Sequence, residues 1–333
     1  MVERPSPSAA RPDPRVDVRF AIRLALVAFV GTLALLVAAG ALPMPLRNLP
    51  TKLLYLALGA WGFVRARALR APASGAGSQG TLLPMAALAL ANVVASQACA
   101  LLVVIPLVRL GAHVTPPAPA ASDATTIGAA LVVDVIAAVV GEELFHRGAV
   151  LPALRPWGDR VAVVGSAVVF AVAHVGFAAA FSWALLLGLL TGTARVKTGS
   201  ILPGMVLHGV GNTLGVALSL SPAVATTMTY LLVHAPIALV LFGSALTLAV
   251  WAAIVLRVFR RLGWGSLERG AGGPPLRALA SPALGALVIL YVLVNVALTA
   301  AMFGRRAWRR GSVRAGRGRR PTASAGRTSG SRT

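Results

Sequence analysis

Three charged residues interrupt an apolar run of Val, Ala and Leu at helical spacing. Glu142 and Glu143 are adjacent, and Arg147 follows Glu143 by four residues. Residues four apart lie on the same face of a helix, so Glu143 and Arg147 are predicted to form an ion pair. Such a pair lowers the cost of burying Glu143 and leaves Glu142, on a neighbouring face, available for proton transfer.

Two histidines and an asparagine lie in the apolar segments that follow. Phe170 precedes His174 by four residues, and His208 precedes Asn212 by the same interval. Each pair therefore shares one face of its helix. If the three helices pack together, Glu142, His174, His208 and Asn212 form a small polar chamber inside the bilayer. A reaction that consumes water within a membrane requires such a chamber.

The composition indicates which elements must position these residues. The chain has 333 residues, 57% hydrophobic and 12% charged, with a mean hydropathy of +0.80. Soluble domains carry about 25% charged residues, so this class is excluded. The net charge of +22 has the sign of a nucleic-acid-binding protein, but the hydropathy argues against it. We predict an all-α, polytopic membrane protein with about eight to ten transmembrane helices and a catalytic core that is a bundle of four.

Changes in composition divide the chain into five parts. The predicted parts are a disordered N-terminus (1–19), N-terminal transmembrane helices (20–110), the catalytic helical core (127–220), C-terminal transmembrane helices (221–304) and a disordered Arg-rich tail (305–333). The single cysteine, Cys99, excludes an intrachain disulfide.

The basic residues indicate orientation and location. Lys and Arg are concentrated in alternate loops, which predicts a cytoplasmic N-terminus because basic residues favour the cytoplasmic side. Lys52 and Lys197 are the only lysines, and the other basic residues are arginines. This preference is typical of GC-rich codon usage, which suggests a bacterial protein and hence the bacterial cell membrane. The tail has ten arginines and no acidic residue. We expect it to contact anionic lipids of the bilayer rather than nucleic acid.

All three motifs, in this order on consecutive apolar segments, resemble the CPBP family. This family comprises CAAX-type prenyl endopeptidases and the bacteriocin-processing or self-immunity proteins of the Abi group, and its pattern is EExxxR, FxxxH and HxxxN or HxxxD. The matching residues are Glu142-Glu143-xxx-Arg147, Phe170-xxx-His174 and His208-xxx-Asn212. The resemblance covers approximately residues 127–220.

The resemblance implies an intramembrane endopeptidase that cleaves a membrane-associated or CAAX-like protein or peptide. In this interpretation Glu142 is the general base that, with His174, holds and deprotonates the attacking water. His208 and Asn212 would donate hydrogen bonds to the oxyanion of the tetrahedral intermediate. Glu143 would hold the base in position.

The sequence leaves the role of a metal open. In the favoured mechanism no cofactor is required, and Arg147 with Glu143 only positions the helix. Alternatively, Glu142, His174 and His208 could supply a zinc site of the His₂Glu type, as the usual metalloprotease label of the family implies. No histidine is followed by glutamate, which excludes an HExxH zinc helix.

Two other classes of function use the same residues. Buried carboxylates and histidines also form proton or ion paths in transporters, although the sequence shows no internal symmetry of the kind that transporters have. A catalytically silent membrane protein of the bacteriocin-immunity type is the second alternative. Loss of a motif residue would favour it, and all motif residues are present.

Overall fold

The structure is a computed structural model. It describes residues 14–42, 46–67, 78–112, 123–174, 178–265, 267 and 281–317. The described residues form helices and no strand, which confirms the predicted all-α class. The ten helices are α1 (Pro14–Ala38), α2 (Leu49–Arg67), α3 (Leu82–Arg109), α4 (Ala124–Trp157), α5 (Asp159–Ala173), α6 (Ala178–Thr198), α7 (Leu202–Ser219), α8 (Pro222–Val233), α9 (Ile237–Arg261) and α10 (Pro282–Arg317).

Fewer helices could cross a membrane than the sequence predicts. Among the described residues, α1, α3, α4, α9 and α10 contain segments long and apolar enough, and α7 with α8 forms a sixth candidate bent by 83°. The predicted eight to ten is thus corrected to five or six by length and composition. The reason is that α5 has only 15 residues, fewer than the roughly 20 of a typical span. Helix α2 contains Lys52 and Arg65, and α6 ends with Arg195 and Lys197.

Both ends of the described chain are more helical than composition predicts. Helix α1 begins at Pro14, inside the segment 1–19 that was expected to be disordered. Helix α10 continues to Arg317, inside the expected disordered tail, because Ala and Arg are good helix formers. Residues 1–13 and 318–333 lie outside the described residues.

Helix α4 carries the two glutamates and is irregular around them. Asp123 caps its N-terminus by accepting a hydrogen bond from the Thr126 backbone N–H at 2.8 Å, and hydrogen bonds from Thr126 lower the pKa of this exposed carboxyl. Two π-helical segments, Leu131–Ala137 and Leu144–Val150, flank a short α-helical segment, Ala138–Glu143. Such π-helical turns are frequent at functional sites and rotate the side chains away from regular α-helical positions.

Helix α2 lies against the centre of α4 at very short range. A Cβ atom at Gly141 would lie 3.0 Å from the backbone oxygen of Lys52 and 3.0 Å from the backbone nitrogen of Leu56. Glycine avoids this crowding and lets the two backbones approach closely. The contact places the first turn of α2 beside Glu142, which follows Gly141 in the chain.

A buried apolar cluster joins the helices that border the site. Met85 and Leu88 of α3 pack with Phe170 of α5, Leu187 of α6 and Leu207 of α7. Each of these side chains is at most 3% exposed. Full burial of one such side chain contributes about 1.5–3 kcal/mol in a soluble protein; within a membrane, close packing carries more of this contribution.

Candidate active site

A cavity of about 490 Å³ lies between α2, α3, α4, α6 and α7, next to the end of α5. Four of the six predicted site residues line it, namely Glu142, His174, His208 and Asn212. The other two, Glu143 and Arg147, lie behind the cavity wall and are 0% exposed. The tertiary structure therefore brings all six residues into one region, with four of them facing the cavity.

Glu142 lies at the centre of the polar contacts. Its side chain is buried, and Oε2 lies 3.9 Å from Nε2 of His174 and 3.8 Å from Nε2 of His208. Its other oxygen, Oε1, accepts a hydrogen bond from the Lys52 ammonium at 2.6 Å. One carboxylate oxygen is thus occupied by a cation, and the other faces both imidazole rings.

The orientation of His174 is set by its own backbone. Nδ1 lies 2.8 Å from the carbonyl oxygen of Phe170. A carbonyl oxygen only accepts, so Nδ1 carries the proton and Nε2 of the neutral ring presents a lone pair towards Glu142. The rings of Phe170 and Trp183 pack against the imidazole, with centroids 4.5 and 4.9 Å from that of His174.

His208 is held by the second glutamate. Its Nδ1 lies 3.0 Å from Oε1 of Glu143, so Nδ1 donates to that carboxylate and Nε2 of the neutral ring is an acceptor. His208 can donate from Nε2 only when both ring nitrogens carry a proton. This geometry adds a condition to the predicted role of His208 as an oxyanion donor.

Asn212 is fixed by α4 and keeps one free donor. Its Nδ2 donates to the backbone oxygen of Asp134 at 2.8 Å, and an amide nitrogen has two N–H groups. The Asp134 side chain accepts a hydrogen bond from Asn48, just before α2, at 3.0 Å. Asp134 also lines the cavity.

The predicted ion pair is present in the structure. Nη1 of Arg147 lies 3.3 Å from Oε1 of Glu143, and Nη2 donates to the backbone oxygen of Gly188 at 3.3 Å. The guanidinium carbon lies 4.6 Å from the centre of the Phe170 ring, a cation–π contact. These contacts join α4 to α5 and α6 behind the site. The ion pair therefore lies among packed helices and does not line the cavity.

A glycine on α7 makes room for this buried pair, which leads to a prediction. A Cβ atom at Gly204 would lie 2.9 Å from Oε2 of Glu143 and 3.3 Å from Cβ of Thr191. We expect Gly204→Ala to lower the free energy of unfolding by about 1–3 kcal/mol, as overpacking does. Thermal unfolding in detergent measures the change.

The matched control for Gly204 lies on the same helix. A Cβ atom at Gly209 would meet only Cγ2 of Val139, at 3.9 Å, so we expect Gly209→Ala to be neutral or stabilising by up to about 1 kcal/mol. Equal unfolding temperatures for the two variants would contradict the close contact with Glu143.

Lys52 is the site residue that sequence reasoning missed. It lies in the first turn of α2, outside the segment predicted as the catalytic core, and composition alone places it at the edge of an apolar segment. Charge balance offers a signal: Arg147 neutralises Glu143, so a buried Glu142 requires a second cation. The sequence does not show which of the remaining basic residues reaches it.

The residues around Glu142 do not fit a zinc site as arranged. Zinc–ligand bonds of about 2.0–2.1 Å in a tetrahedron place ligand atoms roughly 3.3 Å apart, whereas Oε2 lies 3.8 and 3.9 Å from the two Nε2 atoms. The ammonium of Lys52 on the same carboxylate would repel a dication. Within the described residues, no group of three His, Cys, Asp or Glu side chains is arranged to hold a metal ion.

A comparison with protein families identifies the region that carries the site. Residues 124–214 match the family model of Type II CAAX prenyl endopeptidase Rce1-like proteins. The match confirms the resemblance to the CPBP group and extends from the start of α4 into α7. No curated protein and no solved structure matches the chain significantly.

Proposed function

Residues 124–214 carry the signature of a CAAX-type intramembrane protease family, and we propose that this protein is such an endopeptidase. It hydrolyses a peptide bond of a membrane-associated or CAAX-like protein or peptide. One observation supports this above all: a carboxylate oxygen of Glu142 and the unprotonated Nε2 of His174 lie 3.9 Å apart at the wall of a cavity. The two acceptors are too far apart to bond directly and suit a water between them.

A water at this position would donate one proton to Glu142 and one to His174. Its oxygen lone pairs then point away from both acceptors and towards a substrate in the cavity. As the oxygen bonds to the scissile carbonyl carbon, Glu142 takes a proton and the carbonyl π electrons move to the oxygen. Glu142 then delivers that proton to the leaving nitrogen as the C–N bond breaks, giving a carboxylic acid and an amine, and transfer of the remaining proton from acid to amine yields carboxylate and ammonium.

The oxyanion requires donors on the side of the carbonyl oxygen. Asn212 retains one N–H, and His208 donates from Nε2 when both of its ring nitrogens carry a proton. Lys52 has two further N–H groups besides the one directed to Glu142. In comparable sites, removing one such donor costs about 10²–10³ in kcat.

Cleavage of a defined peptide tests the proposal. Purified protein in proteoliposomes is incubated with a peptide ending in a prenylated CAAX sequence and with the same peptide lacking the prenyl group, and products are identified by mass spectrometry. We expect endoproteolytic cleavage that 1,10-phenanthroline leaves intact. Inhibition reversed by added zinc would contradict the metal-free mechanism, and absence of cleavage would contradict the proposed activity.

Lys52 provides a prediction that separates its charge from its bulk. We expect Lys52→Met to lower kcat by roughly 10²-fold, because the cation beside Glu142 is lost, and Lys52→Arg to lose less. Steady-state cleavage rates measure both.

Lys197→Met is the matched control for Lys52, since it removes the other lysine, at the end of α6 and away from the cavity wall. Equal rates for Lys52→Met and the control would contradict a role of the Lys52 charge.

Several apolar helices and the family match make this an integral membrane protein. We further propose a bacterial plasma membrane with the N-terminus in the cytoplasm, which the distribution of basic residues supports. The Arg-rich tail would then contact anionic lipids near the surface. Its side chains lie outside the described residues.

A further inference from the structure

We propose that the groove between α3 and α7 binds the substrate main chain in an extended conformation, and that Asn92 is a binding residue for one of its peptide groups. This inference rests on the proposed function and deepens it. It concerns a part of the cavity wall that lies outside the three motifs and outside the matched segment.

The α3 wall of the cavity is polar at helical spacing. Asn92, Ser96 and Gln97 line it together with Val93 and Ala100. The Ser96 hydroxyl donates to the backbone oxygen of Asn92 at 2.7 Å, within the helix. The Ser96 hydroxyl is thus satisfied within α3, and all three polar residues belong to the cavity wall.

Asn92 has a buried group without a partner. The residue is 5% exposed, and its Oδ1 accepts no hydrogen bond from any described residue. A buried polar atom without a partner is costly, and because Asn92 lines the cavity, turning its amide towards a ligand there would satisfy it. A rotation about the last side-chain bond exchanges oxygen and nitrogen, so this amide can accept from an N–H or donate to a C=O.

The opposite wall, on α7, has free space. His208, Gly211, Asn212, Gly215 and Ser219 line one face of the helix. A Cβ atom at Gly211 or Gly215 would meet no described atom within 4 Å. The absence of side chains here leaves a channel that continues from the catalytic groups along α7.

The dimensions and polarity of this channel suit a peptide. Asn92 and Ala100 are eight residues apart on α3, about 12 Å along the helix axis, which accommodates about three to four residues of extended chain. A peptide at membrane depth must satisfy its N–H and C=O groups internally or with protein groups. The Asn92 amide offers both a donor and an acceptor, as one peptide group requires.

Binding to an inactive protein tests this inference separately from catalysis. In the Glu142→Gln background, fluorescence anisotropy measures the affinity for the prenylated CAAX peptide and for analogues in which one backbone N–H is replaced by an ester oxygen. We expect Asn92→Ala to weaken binding about 5–50-fold. We expect one ester analogue to bind more weakly than the amide peptide when Asn92 is present and equally well when it is absent.

Two further variants keep the test independent of folding effects. Gly215→Leu fills the open part of the groove, and we expect it to weaken peptide binding by at least tenfold without lowering the unfolding temperature. The matched control is Asn295→Ala on α10, which removes an amide that donates to Tyr291 within its own helix. We expect the control to bind the peptide as the parent protein does.

The outcomes distinguish the two proposals. Cleavage by the wild type with unchanged binding in Asn92→Ala and Gly215→Leu overturns the groove and leaves the protease activity. Binding that depends on both residues, without cleavage by the wild type, supports the groove and overturns the activity. Absence of peptide binding to the parent overturns the groove.

Discussion

Glu142→Gln is expected to lower the rate of peptide cleavage by about 10²–10⁴-fold, the usual range for loss of a general base. The amide has nearly the size of the carboxylate but cannot take a proton from the water proposed to lie between this side chain and His174. It also weakens the contact with the Lys52 ammonium, now 2.6 Å from Oε1. Single-turnover cleavage of the prenylated CAAX peptide measures the loss.

The control for this variant is another acid in the same cavity. Asp134 lines the cavity but accepts a hydrogen bond from Asn48, so we expect Asp134→Asn to retain cleavage within about tenfold. Gel filtration and thermal unfolding show whether each variant is folded. A folded Glu142→Gln protein that cleaves at the wild-type rate would rule out the assigned mechanism.

Arg147→Met is expected to lower the free energy of unfolding by about 3–5 kcal/mol, because it leaves the Glu143 carboxylate buried without its cation. Both side chains are 0% exposed, and their closest atoms lie 3.3 Å apart. The double variant Glu143→Gln/Arg147→Met removes both charges and should recover part of this loss. Thermal and denaturant unfolding of purified protein in detergent measures the changes.

A second arginine on the same helix provides the control. Arg155 pairs with Asp159 at 3.2 Å, also four residues apart, but its side chain is 43% exposed. Exposed pairs contribute about 0–1 kcal/mol, so Arg155→Met should change stability little. If Arg147→Met were no more destabilising than Arg155→Met, the buried pair of Glu143 and Arg147 would not stabilise the fold.

The sequence alone predicts which residues form the candidate site. It predicts less well which other groups surround them. The pair of Glu143 and Arg147 is predictable because it depends on a single helical turn, and helical spacing survives the irregularity of α4. The meeting of Glu142, His174 and His208 is also predictable, because buried polar groups on apolar helices have few partners other than each other. The all-α class follows from the same apolar segments.

Contacts between distant segments were not readable from the sequence. Lys52 reaches Glu142, 90 residues later, because glycine at position 141 allows α2 and α4 to touch. The number of membrane-spanning helices depends on where each helix ends and bends, which local composition does not show. Nε2 of His174 and of His208 is an acceptor because Nδ1 of each ring donates, to Phe170 and to Glu143 respectively. Only the folded geometry shows which ring nitrogen makes these hydrogen bonds.

Local periodicity and the cost of buried charge therefore determined which residues form the candidate site and on which helices they lie. Helix packing determined how these residues can act, since it selected the cation beside Glu142 and the imidazole lone pairs that face it. Packing also placed the polar face of α3 at the wall of the cavity. Spacing within one helix is encoded locally, whereas the distance between two helices depends on all the side chains that separate them.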